Sequence, residues 1–385
     1  MTLDRARIAL AAIALLLLWH ILHVNAVIYG DTNRPALRIP EGAPQAAFAA
    51  ILRENPADVG ALVEIGAARE RAGDAQGAAR AYAAALEIAP VDRVALRAAA
   101  AFDLSQGRVA QAVARLDRLA EHYPEMRAWI FPLFARIVAV AGYRGPFEDL
   151  AARATGWMGP FLAHACAQNV EPLAVAALLV RRVAAGRAHS EEIACVTERM
   201  RAAGHWDSAY QLWLNTLPRE RLADVGFVFN GSFEYAPGGA GFDWIAARSP
   251  AFEVEFPLAS GAAGNRALRV TFTGKRIPGA AIRQFLALSP GSYRFFGLAR
   301  LEALQSVRGV QWLVRCLDAA GRAATVGASP RFLGSSEWQA FTFDVAVPPG
   351  CLGQVLELEP AGHQEGTTFV SGKAWFDDLR LRRVR

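Results

Sequence analysis

Two hydrophobic periods divide the chain. From about residue 46 to residue 222, apolar positions recur every three to four residues, which is the period of an amphipathic α-helix. From about Asp224 onward, short runs rich in valine, phenylalanine, threonine and tyrosine alternate with polar positions between glycine and proline turns. That alternation is typical of β-strands. The pattern therefore predicts a helical domain at residues 46–222 followed by a β domain at residues 224–385.

A repeat of 34 residues organises the helical part. Pro56, Pro90 and Pro124 are 34 residues apart, and the positions between them agree in character. A small residue permits close approach of two helices, a glycine provides the turn between them, and the proline ends the second helix. The first unit carries Leu62, Ile65, Gly66, Gly73, Ala78, Tyr82 and Ala85, and the second carries Leu96, Ala99, Ala100, Gly107, Ala112, Leu116 and Leu119.

This pattern, which covers residues 59–126, resembles the tetratricopeptide repeat. The resemblance implies helix–turn–helix units that stack into an array and present a surface to protein partners. Two units alone do not bury their apolar faces, so neighbouring segments must cover them. We therefore interpret residues 46–222 as one helical array in which degenerate units flank the repeat.

The N-terminus carries a membrane-targeting pattern. Arg5 and Arg7 precede an uncharged run at Ile8–Trp19, and the apolar character continues with interruptions to Ile28. About 21 such residues just span a bilayer, and flanking arginines favour a cytoplasmic N-terminus. We predict that residues 1–29 are a cytoplasmic tip and a single-pass anchor in a bacterial inner membrane. A cleaved signal peptide, which would leave a soluble periplasmic protein, is the alternative because small residues surround Ala26.

The segment after this anchor, residues 30–45, contains three prolines and no periodic apolar pattern. It is predicted to be an extended linker between the membrane and the first helix. The remainder of the chain is then periplasmic.

The β part consists of short strand-like runs with no helical pattern between them, which predicts an antiparallel β-sandwich. Three of its motifs lie at Asn230–Glu234, Leu288–Tyr293 and Trp375–Leu379. Together they resemble the jelly-roll carbohydrate-binding modules of the galactose-binding-like superfold. The resemblance implies a fold of this kind over roughly residues 226–385 and raises the prospect of sugar binding.

The same resemblance implies a structural calcium ion that joins the first and last strands. Its ligands would be Glu234 together with Asp377 or Asp378, because calcium prefers hard carboxylate oxygens. A cluster of solvated carboxylates at a strand end is the alternative interpretation.

A sugar site needs flat aromatic faces and a few hydrogen-bonding groups. Trp244, Trp312 and Trp338 are the candidate aromatic residues. Strict alternation along a strand assigns Trp312 to a buried face and places Trp375 on the same face as Leu379, so we expect both tryptophans in the core. The predicted ligand site consists of Trp244, which follows a glycine-rich stretch, with Arg276, Arg283 and Glu337 as polar partners.

The four cysteines are divided evenly between the two parts. Cys166 and Cys195 lie in the helical part, and Cys316 and Cys351 lie in the β part. Outside the cytoplasm, this arrangement favours one disulfide in each part. Free buried thiols are the alternative.

The charge and the motifs of the sequence reduce the number of function classes to consider. The net charge is only +5, acidic and basic residues are mixed, and no basic block is interleaved with aromatic residues, so the sequence does not favour nucleic-acid binding. It contains no nucleophile elbow, no zinc-protease motif and no phosphate-binding glycine loop. The sequence therefore favours a protein that is not an enzyme.

The combined interpretation is a membrane-anchored periplasmic scaffold. Its repeats would bind another cell-envelope protein, and its β domain would bind polysaccharide during exopolysaccharide or cell-envelope glycan assembly and export. Two alternatives stay open, namely a glycan-modifying or hydrolysing enzyme and a purely structural assembly factor without sugar affinity.

Overall fold

The structure is a computed structural model, which describes residues 45–168, 170–259, 264–318, 321–362 and 368–384. The predicted membrane segment and almost all of the predicted linker lie outside these described residues. Within the ranges just given, no helix is both long enough and apolar enough to cross a membrane. The chain divides into two compact units, Met1–Val170 and Glu171–Arg385.

The described part of the first unit is helical. Short 3₁₀ turns at Pro124–Met126 and Ala141–Tyr143 separate its later helices. The helices are α1 (Gln45–Glu54), α2 (Val59–Arg71), α3 (Ala75–Ile88), α4 (Arg93–Ser105), α5 (Val109–His122), α6 (Arg127–Val138), α7 (Gly145–Ala151) and α8 (Met158–Ala167).

The helices α2 to α5 follow the 34-residue repeat of the sequence. Helices α2 and α4 begin 34 residues apart, and so do α3 and α5. Gly73 and Gly107 form the two equivalent turns with φ of 79° and 71°, a region that favours glycine because it has no Cβ. The side chains of Asp58, Asp74 and Asp92 accept hydrogen bonds from backbone N–H groups and thereby cap the N-termini of α2, α3 and α4.

Small residues allow the paired helices to approach closely. A Cβ at Gly66 would lie 2.5 Å from the ring of Tyr82, so the ring occupies the space that any larger residue would need. Ala78 and Ala112 are completely buried at equivalent positions of α3 and α5. Helix packing therefore depends on the small residues that define the repeat in sequence.

An aromatic cluster fills the end of the first unit. Phe134 in α6 lies 4.9 Å from Phe147, 4.8 Å from Trp157 and 5.6 Å from Phe161, measured between ring centres. The Nε1 of Trp157 donates a 2.8 Å hydrogen bond to Asp117 in α5. Helices α5 to α8 thus share one core.

The second unit begins with three helices and continues as strands. The helices are α9 (Pro172–Ala184), α10 (Ser190–Ala202) and α11 (Trp206–Leu214), followed by a 3₁₀ segment at Arg219–Asp224. The strands are β1 (Ile245–Ala246), β2 (Phe252–Glu255), β3 (Leu268–Arg276), β4 (Ile282–Leu286), β5 (Gly291–Gln305), β6 (Val310–Leu317), β7 (Ala323–Ala328), β8 (Gly334–Val347), β9 (Gly353–Pro360) and β10 (Phe369–Arg383).

The strands form two antiparallel five-stranded sheets. The first sheet has the order β1-β4-β9-β6-β7, and the second has the order β2-β3-β10-β5-β8. Side chains from both inner faces form one core, which includes Phe295, Trp312, Leu356 and Phe376. The predicted order of helices followed by an antiparallel β-sandwich is confirmed.

A disulfide joins Cys316 in β6 to Cys351 before β9, with a Cα–Cα distance of 5.5 Å. The two cysteines are 35 residues apart in sequence. In the loop-entropy model, a disulfide that closes a loop of this length stabilises the folded state by about 3–4 kcal/mol. Cys166 and Cys195 belong to different units, and their pairing stays a prediction.

Helices α10 and α11 pack on the outer face of the first sheet. The ring of Trp206 covers Gly353, where a Cβ would clash with it, and lies 5.9 Å from the ring of Phe285. The ring of Trp213 lies 5.0 Å from that of Phe229. The helical pattern of the sequence continues to residue 222, but α9 to α11 belong to the same compact unit as the strands.

A β-bulge in β10 reverses the direction of its side chains. Asp378 has φ of 54°, and the register with β5 shifts between Asp377 and Arg380. Leu379 belongs to the core, whereas Trp375, before the bulge, lies on the outer face of the second sheet. The expectation that Trp375 and Leu379 share a face was therefore wrong, because one extra residue breaks the alternation.

Candidate functional site

A continuous row of side chains crosses the outer face of the second sheet. Register pairs Glu255 of β2 with Arg269 of β3, Arg269 with Trp375 of β10, and Trp375 with Arg300 of β5. Trp338 of β8 extends the row, since the Arg300 guanidinium carbon lies 5.7 Å from its ring centre. We call these five residues the Trp338 row.

Guanidinium groups stack against the aromatic rings of the row. The guanidinium carbons of Arg269 and Arg300 lie 5.1 Å and 4.4 Å from the ring centre of Trp375. These stacks cover Trp375, which is only 6% exposed. Trp338 is half-buried, so part of its ring remains accessible at the edge of the sheet.

Ion pairs fix the cations of the row. Arg269 Nε donates a 3.1 Å hydrogen bond to Glu255, and Arg300 Nη2 donates a 2.6 Å bond to Glu302. Lys373 Nζ lies 3.3 Å from the other oxygen of Glu302. Desolvation raises the pKa of Glu302, but hydrogen bonds and charge from Lys373 and Arg300 outweigh it, and the pKa is lower than usual.

The sequence-predicted stacking residue lies elsewhere. Trp244 is completely buried, and its ring lies 5.2 Å from Phe233 and 5.7 Å from Trp312. Its Nε1 donates a 3.0 Å hydrogen bond to the carbonyl oxygen of Asn230. The ring packs inside the sandwich, and Nε1 already has a hydrogen-bond acceptor there. The prediction that Trp244 stacks on a sugar is therefore corrected.

The three predicted polar partners are exposed but separated. Arg276 ends β3 at one end of the sandwich, and Arg283 lies on the outer face of the first sheet, 5.4 Å from the ring of Phe285. Glu337 lies beside Trp338 at the irregular start of β8. The structure therefore does not bring Trp244, Arg276, Arg283 and Glu337 into one site, and only Glu337 neighbours the Trp338 row.

The predicted calcium ligands have protein partners. Glu234 Oε1 accepts backbone hydrogen bonds from Asn265 at 2.7 Å and Arg266 at 3.0 Å. Asp378 is ion-paired with Arg380, and Asp377 is fully buried. In the described ranges, no group of three or more histidine, cysteine, aspartate or glutamate residues is placed to hold a metal ion. Calcium stays a prediction that these contacts do not favour.

Sequence reasoning missed Trp375, Arg300 and Arg269 because strict alternation assigned Trp375 to the core. The one available signal is the pair Asp377–Asp378, since aspartate is among the few residues that tolerate positive φ. Such a residue inside a strand pattern indicates a bulge and a change of face.

No protein-family model matches the chain, and no curated protein matches it. Among solved structures, the chain is similar to the CBM22-1 xylan-binding domain from Paenibacillus barcinonensis, at 14% identity and a TM-score of 0.27, over 37% of this chain and 86% of that one. It is also similar to a C-terminal family 22 carbohydrate-binding module of Clostridium thermocellum, at 16% identity and a TM-score of 0.29. That match covers 41% of this chain and 94% of the module. A CBM4 structure matches at 15% identity and a TM-score of 0.30, and the match covers 41% of this chain and 99% of that structure's chain.

Proposed function

We propose that this protein is a non-catalytic scaffold whose β-sandwich binds polysaccharide along the Trp338 row. The observation that carries the proposal is the row itself, in which each of the five strands of the second sheet contributes one side chain. Four strand spacings amount to about 19 Å, which suits an extended polymer better than a single small molecule.

The chemistry of the row suits sugar recognition. An accessible part of the Trp338 ring offers an apolar surface to a pyranose, and the neighbouring Arg300 offers donors to hydroxyl groups. Because Arg300 already contacts Glu302 and Trp375, its position is fixed before a ligand arrives. A fixed donor loses little conformational entropy when it binds a ligand.

The carboxylates of this face favour binding over catalysis. Glycoside hydrolysis needs a carboxylic acid that holds its proton near neutral pH. Glu302 has a lowered pKa because its cationic neighbours outweigh desolvation, and Glu255 is ion-paired with Arg269. Both carboxylates are therefore better suited to holding arginine side chains in place than to donating a proton.

The helical repeat supports the second part of the proposal. The paired helices α2 to α5 resemble tetratricopeptide units, and we propose that they bind a protein of the cell envelope. With an N-terminal anchor in the inner membrane, the scaffold would hold that partner beside a polysaccharide in the periplasm during its assembly or export.

The test is affinity electrophoresis of the full-length protein in detergent, in gels that contain one soluble polysaccharide each. Trp338→Ala should weaken retention, because aromatic stacking contributes about 0.5–1.5 kcal/mol, which is roughly a two- to tenfold change in affinity. Phe227→Ala is the matched control, since Phe227 is an exposed aromatic residue outside the row. Equal retention of the wild type and Trp338→Ala on every polysaccharide would refute the assigned site.

A further inference from the structure

Five connections of the sandwich meet at one of its ends. Register places Phe369 opposite Arg276, and it places Ser371, two residues further along β10, opposite Gln305. An isolated bridge joins Phe332 to Val310, at the start of β6. Together with the loop before β2, whose Ala247 donates to the Ala281 carbonyl, these contacts define one end of the strands. We call it the basic tip, and its described residues are 247–251, 275–281, 306–309, 329–333, 361–362 and 368–369.

The described residues of the basic tip carry charge of one sign, and Glu365 of the β9–β10 connection lies outside them. The five cationic side chains of the tip are all exposed, and its described residues include no aspartate or glutamate. This contrasts with the chain as a whole, where acidic and basic residues are nearly balanced. The cations are Arg248, Lys275, Arg276, Arg308 and Arg331.

Large apolar side chains are exposed among these cations. Val307 is 73% exposed, Leu333 is 52% exposed and Phe369 is 49% exposed. Val307 precedes Arg308 directly, and Phe369 is the register partner of Arg276. Exposed apolar residues are ordinary when they are scattered, but three at one end of a domain indicate an interaction surface.

The loops of the basic tip are held against each other. Gly309 has φ of 80°, and a Cβ at this position would clash with the carbonyl of Phe332. The amide of Val310 donates a 3.1 Å hydrogen bond to that carbonyl, and the amide of Phe332 donates a 2.8 Å bond back to Val310. The loops that carry Val307 and Leu333 are therefore fixed side by side before they meet a partner.

We propose that the basic tip docks on the surface of an anionic lipid bilayer. Cations alone would fit any polyanion, but the apolar side chains at the same end need a partner with an apolar layer below its charges. A bilayer provides both, because exposed apolar side chains enter the interface while arginine and lysine contact lipid phosphates. This inference is independent of the Trp338 row, which lies on the outer face of the second sheet and includes none of the residues of the basic tip.

The test uses the full-length protein in vesicles of phosphatidylcholine, with or without phosphatidylglycerol. An environment-sensitive fluorophore is attached to a cysteine introduced as Val307→Cys. With phosphatidylglycerol present, its emission should shift to the blue and acrylamide should quench it less. The matched control is Leu258→Cys, because Leu258 is 72% exposed in the connection of β2 and β3 at the opposite end.

Charge should control this protection. Arg308→Glu with Arg331→Glu should abolish the blue shift at position 307, whereas Arg322→Glu, in the distant β6–β7 turn, should leave it unchanged. Salt at about 1 M should also abolish it, because the screening length falls to about 3 Å.

Three results would overturn the proposal. One is equal emission at position 307 in the two kinds of vesicle, and another is equal protection at positions 307 and 258. The third is protection of position 307 by soluble polygalacturonate and not by vesicles, which would make an anionic glycan the occupant.

Discussion

The guanidinium carbon of Arg201 lies 3.8 Å from the ring centre of Phe285, and its Nη1 donates a 2.8 Å hydrogen bond to the carbonyl of Gly241. Arg201 belongs to α10, whereas Phe285 belongs to β4 and Gly241 to the loop before β1. A single buried side chain thus connects the last helix pair, the glycine-rich loop and the first sheet.

Arg201→Met should therefore destabilise the second unit by about 2–4 kcal/mol, because it removes a buried cation–π contact and leaves the Gly241 carbonyl without its donor. Urea unfolding monitored by circular dichroism measures the loss. Arg322→Ala is the control, since substitution of an exposed arginine changes stability by about 0.5 kcal/mol or less. Equal unfolding midpoints for Arg201→Met and the wild type would contradict the assigned contact.

The second prediction concerns the minimal folded fragment. Residues 224–385 contain all ten described strands but lack α9 to α11, so Phe285 and Phe229 would lose the aromatic rings that cover them. A fragment of residues 171–385 should unfold cooperatively, whereas residues 224–385 should melt at a lower temperature and bind a hydrophobic dye. Identical melting of the two fragments would show that the strands need no helical cover.

The third prediction concerns pH. Burial raises the pKa of Asp243, and hydrogen bonds from the Gly238 and Trp244 amides only partly offset this effect. The folded state therefore holds this proton more tightly than the unfolded state, whose pKa is about 3.9. As pH rises from about 4 through the raised pKa, the unfolded state ionises first, and the contribution of Asp243 to stability falls.

Asp243→Asn cannot ionise, so it should lose less stability than the wild type over that pH range. Urea unfolding of both proteins between about pH 4 and pH 7 measures the difference. A wild type that gains stability relative to Asp243→Asn as pH rises would reverse the predicted sign.

The fourth prediction separates two roles of Glu234. Its Oε1 holds the loop before β3 through the amides of Asn265 and Arg266, so Glu234→Ala should lower stability by about 1 kcal/mol. Glu234→Gln retains an acceptor oxygen and should lose less. We expect thermal melts to give these differences equally with and without a chelator. A chelator that lowers the melting temperature of the wild type but not of Glu234→Gln would instead favour the calcium site.

Local sequence was sufficient to predict helices in the first part of the described chain and strands in the last part. The 34-residue period of small residues, glycines and prolines indicated the paired helices, because each helix and turn depends on residues close in the chain. The change to alternating apolar positions after Asp224 likewise indicated strands. Burial of Ala78 and Ala112 follows from the same local rule, since an alanine at each helix crossing permits close packing.

Tertiary structure decided the positions of Trp244 and Trp375. Trp244 lies in the core because segments distant in sequence, around Asn230 and Trp312, enclose its ring. Trp375 reaches the outer face because the bulge at Asp378 offsets one strand against its neighbour. The spacing of hydrophobic residues shows which side chains of a strand alternate. Which of the two faces meets solvent depends on register and on contacts between distant segments. For this reason the strands were predictable from sequence, whereas the Trp338 row and the basic tip were not.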